Sequence, residues 1–516
     1  MRIADLNLDL VRLASAPPVR HAVVDRASWQ AVALQVARAR GRLVSLWGCD
    51  SRHRGPGSMV VSAAYALPDG LLWIDLPLPG ETPSYPDVST HFPFAGRMQR
   101  ATADLLGIHA DDFADRRRWL DHGAWIAQGF ALRAGSRVRS GADSQESDDY
   151  AFVRVEGDGV HEIPVGPVHA GIIEPGHFRF SIVGEKVLRL EQRLGYVHKG
   201  IERRFSELAP LDAHRLAGRV SGDSTVAGAW AYCMALESAL ASPAPPRAQW
   251  LRALMLERER VANHLGDLGA LANDAALAFG LAQFSRLRED WLRLSMAAFG
   301  HRLMMDCVVP GGVTADLDTA MIVRIHSQCE AVEAEVRTLR ATFDEHAGLQ
   351  DRFIGTGQVA PELAAQLGLA GLAGRASGQA FDLRCDQPWA PYEELRVSKA
   401  GSAAGDVAAR VAVRFDETLE SLRLIRTLCT GLPAGDRQRD LEVTTQPARG
   451  AGWVEGWRGE VFVALELDAG AIQRCHCHDP SWQNWPVLEH AVIGNIVPDF
   501  PLINKSFNLS YSGHDL

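Results

Sequence analysis

The stretch "RAQWLRALMLERERVANHLGDLGALAND", residues 247 to 274, constrains the fold more than any other part of the chain. Trp250, Leu254, Val261, Leu265 and Leu268 recur along one stripe at helical spacing, while Arg252, Glu259 and Arg260 fall elsewhere. Such a stripe is stable only when other helices cover it. Stretches of similar quality run over about 225–239, 281–306, 315–346 and 405–431, so the periodicity predicts a helical bundle. Within this helix His264 reads as a satisfied core histidine, and "ERERVANHLGD" as a solvated face laced by i to i+4 pairs.

The front of the chain follows a different rule. "GRLVSLWGCD", "SMVVSAAYAL" and "LLWIDLPLP" have strand lengths and are bounded by Gly, Pro and Asp. A helix then places Met98, Ala101, Leu105 and Leu106 at helical spacing. The expected fold class is α+β: a small α+β domain over 1–138, a polar linker over 139–154, and a mostly helical bundle domain with small peripheral sheets over 155–516. A strand pair is expected in "EIPVGPVHAG" and "HFRFSIVGEKVLRLEQRLG", with Gly184 preceding the turn. The closing "NIVPDFPLINKSFNLSYSGHDL", with Pro498 and Pro501, reads as extended chain whose Phe500, Phe507 and Tyr511 pack against something.

Hydrophobic residues make up 47% and charged residues 22%, the balance of a soluble globular protein. No signal peptide and no apolar run of about 18 residues is present, so the expected location is cytoplasmic, or on a membrane through a partner. A net charge of -10 with arginines scattered among acids argues against nucleic acid as a partner. None of the eight cysteines forms a C-x-x-C pair. Cys475 and Cys477 alternate with His476 and His478, which on a strand puts buried thiols on one face and surface imidazoles on the other.

"GPVHAGIIEPGHFRF" (166–180), "RLGYVHKGIERRF" (193–205), "DCVVPGGV" (306–313), "GRASGQAFDLR" (374–384) and "DPSWQNWP" (479–486) follow one another in an order that resembles a known family. It is that of the large subunits of group 4 membrane-bound NiFe hydrogenases, including the formate hydrogenlyase and hydrogenase-4 type, and of the homologous 49-kDa subunit of respiratory complex I. "FPFAGRMQRATADLLGI" and "DRRRWLDHGAW" resemble the 30-kDa complex I subunit, fused at the front. In the hydrogenases two paired turns supply four cysteine thiolates to the nickel–iron centre. Here the first turn reads Ser221-Gly222-Asp223-Ser224 and the second Asp479-Pro480-Ser481-Trp482-Gln483-Asn484. The ligand positions Ser221, Ser224, Ser481 and Asn484 are hydroxyls or an amide, donors too hard for such a cluster, so the NiFe centre is expected to be absent and no metal ligand is assigned.

The resemblance also implies site residues around that position. Glu174 matches the proton-carrying glutamate, Arg449 in "PARG" matches the arginine that overhangs the metals, with Ala448 in place of the family's proline, and Asp479 opens the second turn. This trio is expected to handle protons and orient an acceptor; the alternative is that Arg449 merely neutralises Asp479 and Glu174. Complex I uses the equivalent space to bind a quinone through a tyrosine and a histidine. The tyrosine position falls at Gly222, and His169 matches the first histidine of the other loop. His198 and Lys199 read as structural or partner-facing. The resemblance thus implies the large subunit of an oxidoreductase complex on the cytoplasmic face of the inner (cell) membrane. An iron–sulfur small subunit with 4Fe–4S clusters and antiporter-like and other membrane-arm subunits would be its partners, and electron transfer would be coupled to ion translocation. A non-catalytic scaffold subunit, or the quinone-site subunit of an NADH:quinone-oxidoreductase-like complex, are the alternatives.

Overall fold

The computed structural model describes residues 1–51, 59–80, 82–123, 125–126, 129–133, 135–136, 139–140, 150–167 and 173–516. Positions 141–149 of the expected linker and His169 lie outside the described residues. The first sheet has the order β1 (Val11–Arg12), β2 (Val19–Val23), β5 (Gly70–Leu78), β4 (Met59–Leu67), β3 (Arg42–Asp50); only β2 and β5 are parallel. Strand alternation splits its side chains between two cores. Leu46, Tyr65, Leu72 and Ile74 share one core with α1 (Arg26–Arg38) and α2 (Ala95–Leu106), while Trp47, Ala64, Leu71 and Trp73 join the core of the helical bundle. Asp25 caps α1 by accepting from Ser28 N at 2.8 Å.

An antiparallel sheet follows, β6 (Val160–Val165), β7 (His177–Val183) and β8 (Lys186–Arg193), with the β7–β8 turn made by Gly184 at φ 59°. The bundle comprises α3 (Thr225–Ala239), α4 (Pro246–Asp274), α5 (Ala278–Phe299), α6 (Thr319–Glu345) and α7 (Val407–Gly431). The helix expected over 281–306 ends early, at Gly300, where φ is 80° and the chain turns left-handed. The last sheet is antiparallel: β9 (Ala448–Glu455), β10 (Glu460–Asp468) and β11 (Ala471–His478). It lies directly on α3. A Cβ at Gly450 or Gly452 would come within 1.9 or 1.8 Å of the carbonyl oxygens of Ala235 or Ala231, so this contact requires glycine.

Three expectations are overturned. The run "ERERVANHLGD" is not a solvated face, because Glu257, Arg258, Glu259, Arg260, His264 and Asp267 are all buried. Apart from the Arg260–Glu257 pair one turn along, at 3.2 Å, their partners come from distant segments. Arg384 reaches Glu257 at 3.1 Å and Asp382 at 2.7 Å, Arg375 holds Glu417 at 2.7 Å and Glu455 at 2.8 Å, and Arg414 holds Asp267 at 2.9 Å. His264 meets Glu417 at 2.9 Å through Nε2, which makes it a core histidine as expected, although its Nδ1 finds no protein partner. Secondly, His476 and His478 are buried along with Cys475 and Cys477, since the first sheet covers the face of β11 opposite α3. Trp47 stacks on His476 at 4.6 Å, and Ser45 Oγ lies 2.7 Å from its Nε2. Thirdly, the tail is not extended: beyond α8 (Ser481–Ala491) it forms α9 (Phe500–Phe507) and α10 (Tyr511–Asp515), packed into the molecule.

Removing one partner of a buried ion pair strands the other charge, at a cost of about 3–5 kcal/mol. Glu257→Gln is therefore expected to lower the unfolding free energy by about 3 kcal/mol in denaturant titrations. Arg337→Ala, on the exposed pair with Glu333, should change it by less than about 0.5 kcal/mol. Equal effects would contradict the burial of the α4 charges.

Candidate functional site

The first serine turn is a short 3-10 segment, Gly222–Ser224, that leads into α3, and Ser221 precedes it in extended conformation. Asp223 organises it. Its Oδ1 accepts from Ser221 Oγ at 2.7 Å and from Arg458 Nη1 at 3.0 Å, while Arg458 Nη2 donates to Oδ2. Arg458 Nη1 also reaches Ser224 Oγ at 3.1 Å. Asn263 Nδ2 and Trp457 Nε1 fix the Asp223 carbonyl at 2.8 and 2.9 Å. Burial pushes the Asp223 carboxyl up, but Arg458 and the Ser221 hydroxyl outweigh it and hold it below its usual range.

The second turn opens with Asp479, whose Oδ1 accepts from Ser481 N at 2.8 Å. The two turns meet through Ser510: its N donates to Ser481 Oγ at 2.9 Å, and its Oγ lies 2.9 Å from Ser221 Oγ. Gly513 follows close against Asp479, where an added Cβ would sit 2.8 Å from Asp479 Oδ2. Asp479 is buried, and that desolvation, only partly offset by Arg458 and Ser481, leaves its carboxyl above the usual range. Half-buried Glu174 lies at the other side of the same segment. It accepts from Ser512 N at 2.9 Å and from the Ser512 hydroxyl, to which Lys199 Nζ donates at 2.8 Å. The 510–513 segment thus joins Glu174, Asp479, Ser221 and Ser481.

Arg449 is not part of this group, and it neutralises neither Asp479 nor Glu174. Its guanidinium meets Asp75 at 3.2 Å, Glu466 at 3.4 Å and His21 Nε2 at 3.3 Å. The strand register explains the separation. Arg449 pairs with Glu466, whereas His478, next to Asp479, pairs with Phe462 four residues along β10, about 13 Å away at strand rise. Arg458 stands at the turns instead, on the β9–β10 hairpin. A second Arg-Gly pair in "EGWRGE", nine residues after the first, was the available signal. Asn484 also turns away, since its amide matches the backbone of Ala370, accepting from its N at 2.9 Å and donating to its O at 3.3 Å. Gly222 is exposed with open space around it. His198 Nδ1 lies 2.8 Å from the Asp515 carbonyl, which ties its turn to the tail as a structural contact.

No motif in the sequence marks Glu259 as a site residue. From α4 it caps α3 directly behind the first turn, accepting from Val226 N at 2.6 Å and Ala227 N at 3.2 Å. Burial pushes its carboxyl up to about 8 in spite of those donors. Because the folded value stands above the ordinary 4.5, the stability of the neutral form is fully present below about pH 4.5 and is lost as pH rises through about 8. Glu259→Gln should be nearly as stable as the wild type at about pH 5 and more stable by on the order of 4 kcal/mol at about pH 8. Denaturant titration across that range tests this, and a difference independent of pH would mean that the carboxylate is ionised throughout.

Comparison with known proteins agrees with this architecture. Residues 22–140 match the family model of the respiratory-chain NADH dehydrogenase 30 Kd subunit, and residues 267–452 match that of the 49 Kd subunit. Formate hydrogenlyase subunit 5 of Escherichia coli is 30% identical over 92% of this chain and 85% of its own. The carbon monoxide-induced hydrogenase of Rhodospirillum rubrum is 31% identical over 67% of this chain and 97% of its own, and the NADH-quinone oxidoreductase subunit 4 of Thermus thermophilus is 28% identical over 68% and 92%. In fold, a chain of the membrane-bound sulfane sulfur reductase, an archaeal respiratory membrane complex, superimposes with a TM-score of 0.65 at 24% identity, covering 69% of this chain and 99% of that one. The chain belongs to the family of complex I 49-kDa-like and hydrogenase-like large subunits with a fused 30-kDa-like front, the subunits of membrane oxidoreductase complexes.

Proposed function

We propose that this chain is a large subunit without a nickel–iron centre, in which Glu174 and Asp479 handle protons beside the electron acceptor of a membrane-associated oxidoreductase complex. The supporting observation is the Ser221–Ser510–Ser481 bridge. The positions where the family's thiolates would converge hold hydroxyls: Ser221 Oγ bonds to Ser510 Oγ, Ser481 Oγ accepts from Ser510 N, and Asn484 is engaged with Ala370. Cys477 is the one thiol among the residues lining the small cavity between the turns. Soft thiolates suit nickel and low-spin iron and neutral hydroxyls do not, so these residues do not fit that centre and no step is routed through it.

Proton traffic has a physical basis in the same geometry. Glu174 is half-buried and reaches inward through the Ser512 hydroxyl, which Lys199 orients; Asp479 lies on the far side of the 510–513 segment. A carboxyl above its usual range exchanges protons nearer neutral pH than an exposed aspartate does. A quinone acceptor would dock outside the two turns, on the side of exposed Gly222, because the cavity between them is about 30 Å³ and ligand pockets start at about 300 Å³. No described helix is long and apolar enough to cross a membrane. We therefore propose a peripheral place on the cytoplasmic face, against an iron–sulfur small subunit and a membrane arm with antiporter-like subunits.

The mutual satisfaction of Ser221, Ser481 and Ser510 also favours a second reading, a scaffold whose former site is closed by its own hydrogen bonds. Turnover of the assembled complex separates the two. Under the first reading Glu174→Gln lowers the rate at least about 100-fold, the usual lower range for a lost acid–base group, while the make-up of the complex stays unchanged. A near-normal rate would favour the scaffold. Elemental analysis is expected to find nickel far below one atom per chain, and a stoichiometric amount would refute both readings.

A further inference from the structure

The outer face of the β6–β8 sheet carries charge that the serine turns do not use. Strand alternation turns Phe178 and Phe180 into the core and His177 and Arg179 outward, and Arg193, paired with His177 across the sheet, shares the outer face. Residues 150–154 lie over that face, held by Val153 N, which donates to Glu191 Oε2 at 2.8 Å. Tyr150, Phe152 and Arg154, at alternate positions, line an open cavity of about 490 Å³ together with His177, Arg179, Arg193 and Glu162. Small-molecule sites span about 300–1,000 Å³.

The guanidinia in this cavity are preset for an oxyanion. Arg179 stacks on Phe152 at 4.3 Å, and a ring that covers the face of a guanidinium leaves its N–H edge open. Its Nη1 meets Glu162 at 3.2 Å, its Nε donates to His177 Nε2 at 3.5 Å, and its Nη2 has no partner among the described residues. His177 accepts at Nε2 because its Nδ1 donates to the Gly166 carbonyl at 3.0 Å. Arg154 is exposed and has neither a hydrogen bond nor an ion pair among the described residues. Arg193 is 1% exposed, stacks on Tyr150 at 4.1 Å and adds its charge from beneath the floor. Three guanidinia thus meet one carboxylate in a chain whose 63 acidic residues outnumber its 53 basic ones, so the excess of positive charge here is local.

We propose that this cavity binds a phosphate group, with Arg154 and the open edge of Arg179 as its direct donors and Arg193 as the charge behind them. Charge favours phosphate over a single carboxylate: three guanidinia less Glu162 leave a surplus that suits a phosphate monoester, which carries about −1.5 to −2 at neutral pH. A soluble phosphate ester and a phospholipid headgroup share this chemistry. The cavity has no lining residue in common with the one between the serine turns, so the proposal does not rest on the function proposed above.

Two probes test it on the full chain: calorimetric titration with inorganic pyrophosphate, and flotation with phosphatidylcholine vesicles with and without phosphatidic acid. Binding of pyrophosphate supports a soluble ligand, and flotation that requires phosphatidic acid supports a headgroup. Arg154→Ser, at an exposed position that leaves no partner stranded, is expected to weaken the bound probe at least about 10-fold, the loss of one hydrogen bond between charged groups. Glu162→Gln removes the competing carboxylate and is expected to tighten binding about threefold, a change that misfolding does not produce. Failure of both probes to bind, unchanged affinity in Arg154→Ser, or the same response to sodium chloride at equal ionic strength overturns the proposal. So does binding that appears only once Asp143, Glu146, Asp148 and Asp149 are made neutral, because the chain's own acids would then be the ligand.

Discussion

The buried ion network around α4 is the interaction on which the rest depends. Glu257 is met by Arg384, Arg260, the Ser421 hydroxyl and the Tyr392 hydroxyl, and Glu417 by Arg375 and His264. These groups come from α4, α7 and short helices between α6 and α7, so the network fixes several distant segments at once. Arg260 carries it on to the site: it donates to the Gly456 carbonyl at 2.9 Å and to the Glu455 carbonyl at 2.7 Å, and so holds the hairpin whose tip presents Trp457 and Arg458. Arg458 then clamps Asp223. Pairing matters here because charges out of water stabilise nothing unless their partners are in place.

The site at the end of that chain is a hydrogen-bonded frame. Two turns far apart in sequence still converge, but the atoms that meet are hydroxyls, a bidentate guanidinium and carboxylates. Hydrogen bonds, which are directional, hold the two turns together. The 510–513 segment completes that frame by inserting Ser510 between the turns and setting Gly513 against Asp479, where no larger residue fits.

Much of the fold was legible in the sequence. Stripes at helical spacing located α3, α4, α6 and α7 closely, and strand-length apolar runs located β3 to β5. The convergence of Glu174, Asp479 and the serine turns was also readable, because each sits in a recognisable local phrase. Arg449 was not, since two Arg-Gly pairs nine residues apart look alike in sequence and only strand register tells which reaches the turns. The acidic and basic run of α4 misled for a related reason: i to i+4 spacing is the same for a solvated face and for a buried one whose counter-ions arrive from elsewhere. The tail misled because Pro498 and Pro501 stand at first-turn positions, where proline starts a helix rather than preventing one.

By itself the sequence determined most of the elements, the family and the hydroxyl and amide side chains of the two turns, since periodicity, ordered motifs and residue identity are local facts carried by single residues. Only the tertiary structure decided which arginine faces Asp223, that five charges of one helical stretch and His476 and His478 are buried, and that a serine from the tail bridges the two turns. Those outcomes depend on which surfaces cover each other, and burial and pairing are properties of contacts between segments hundreds of residues apart.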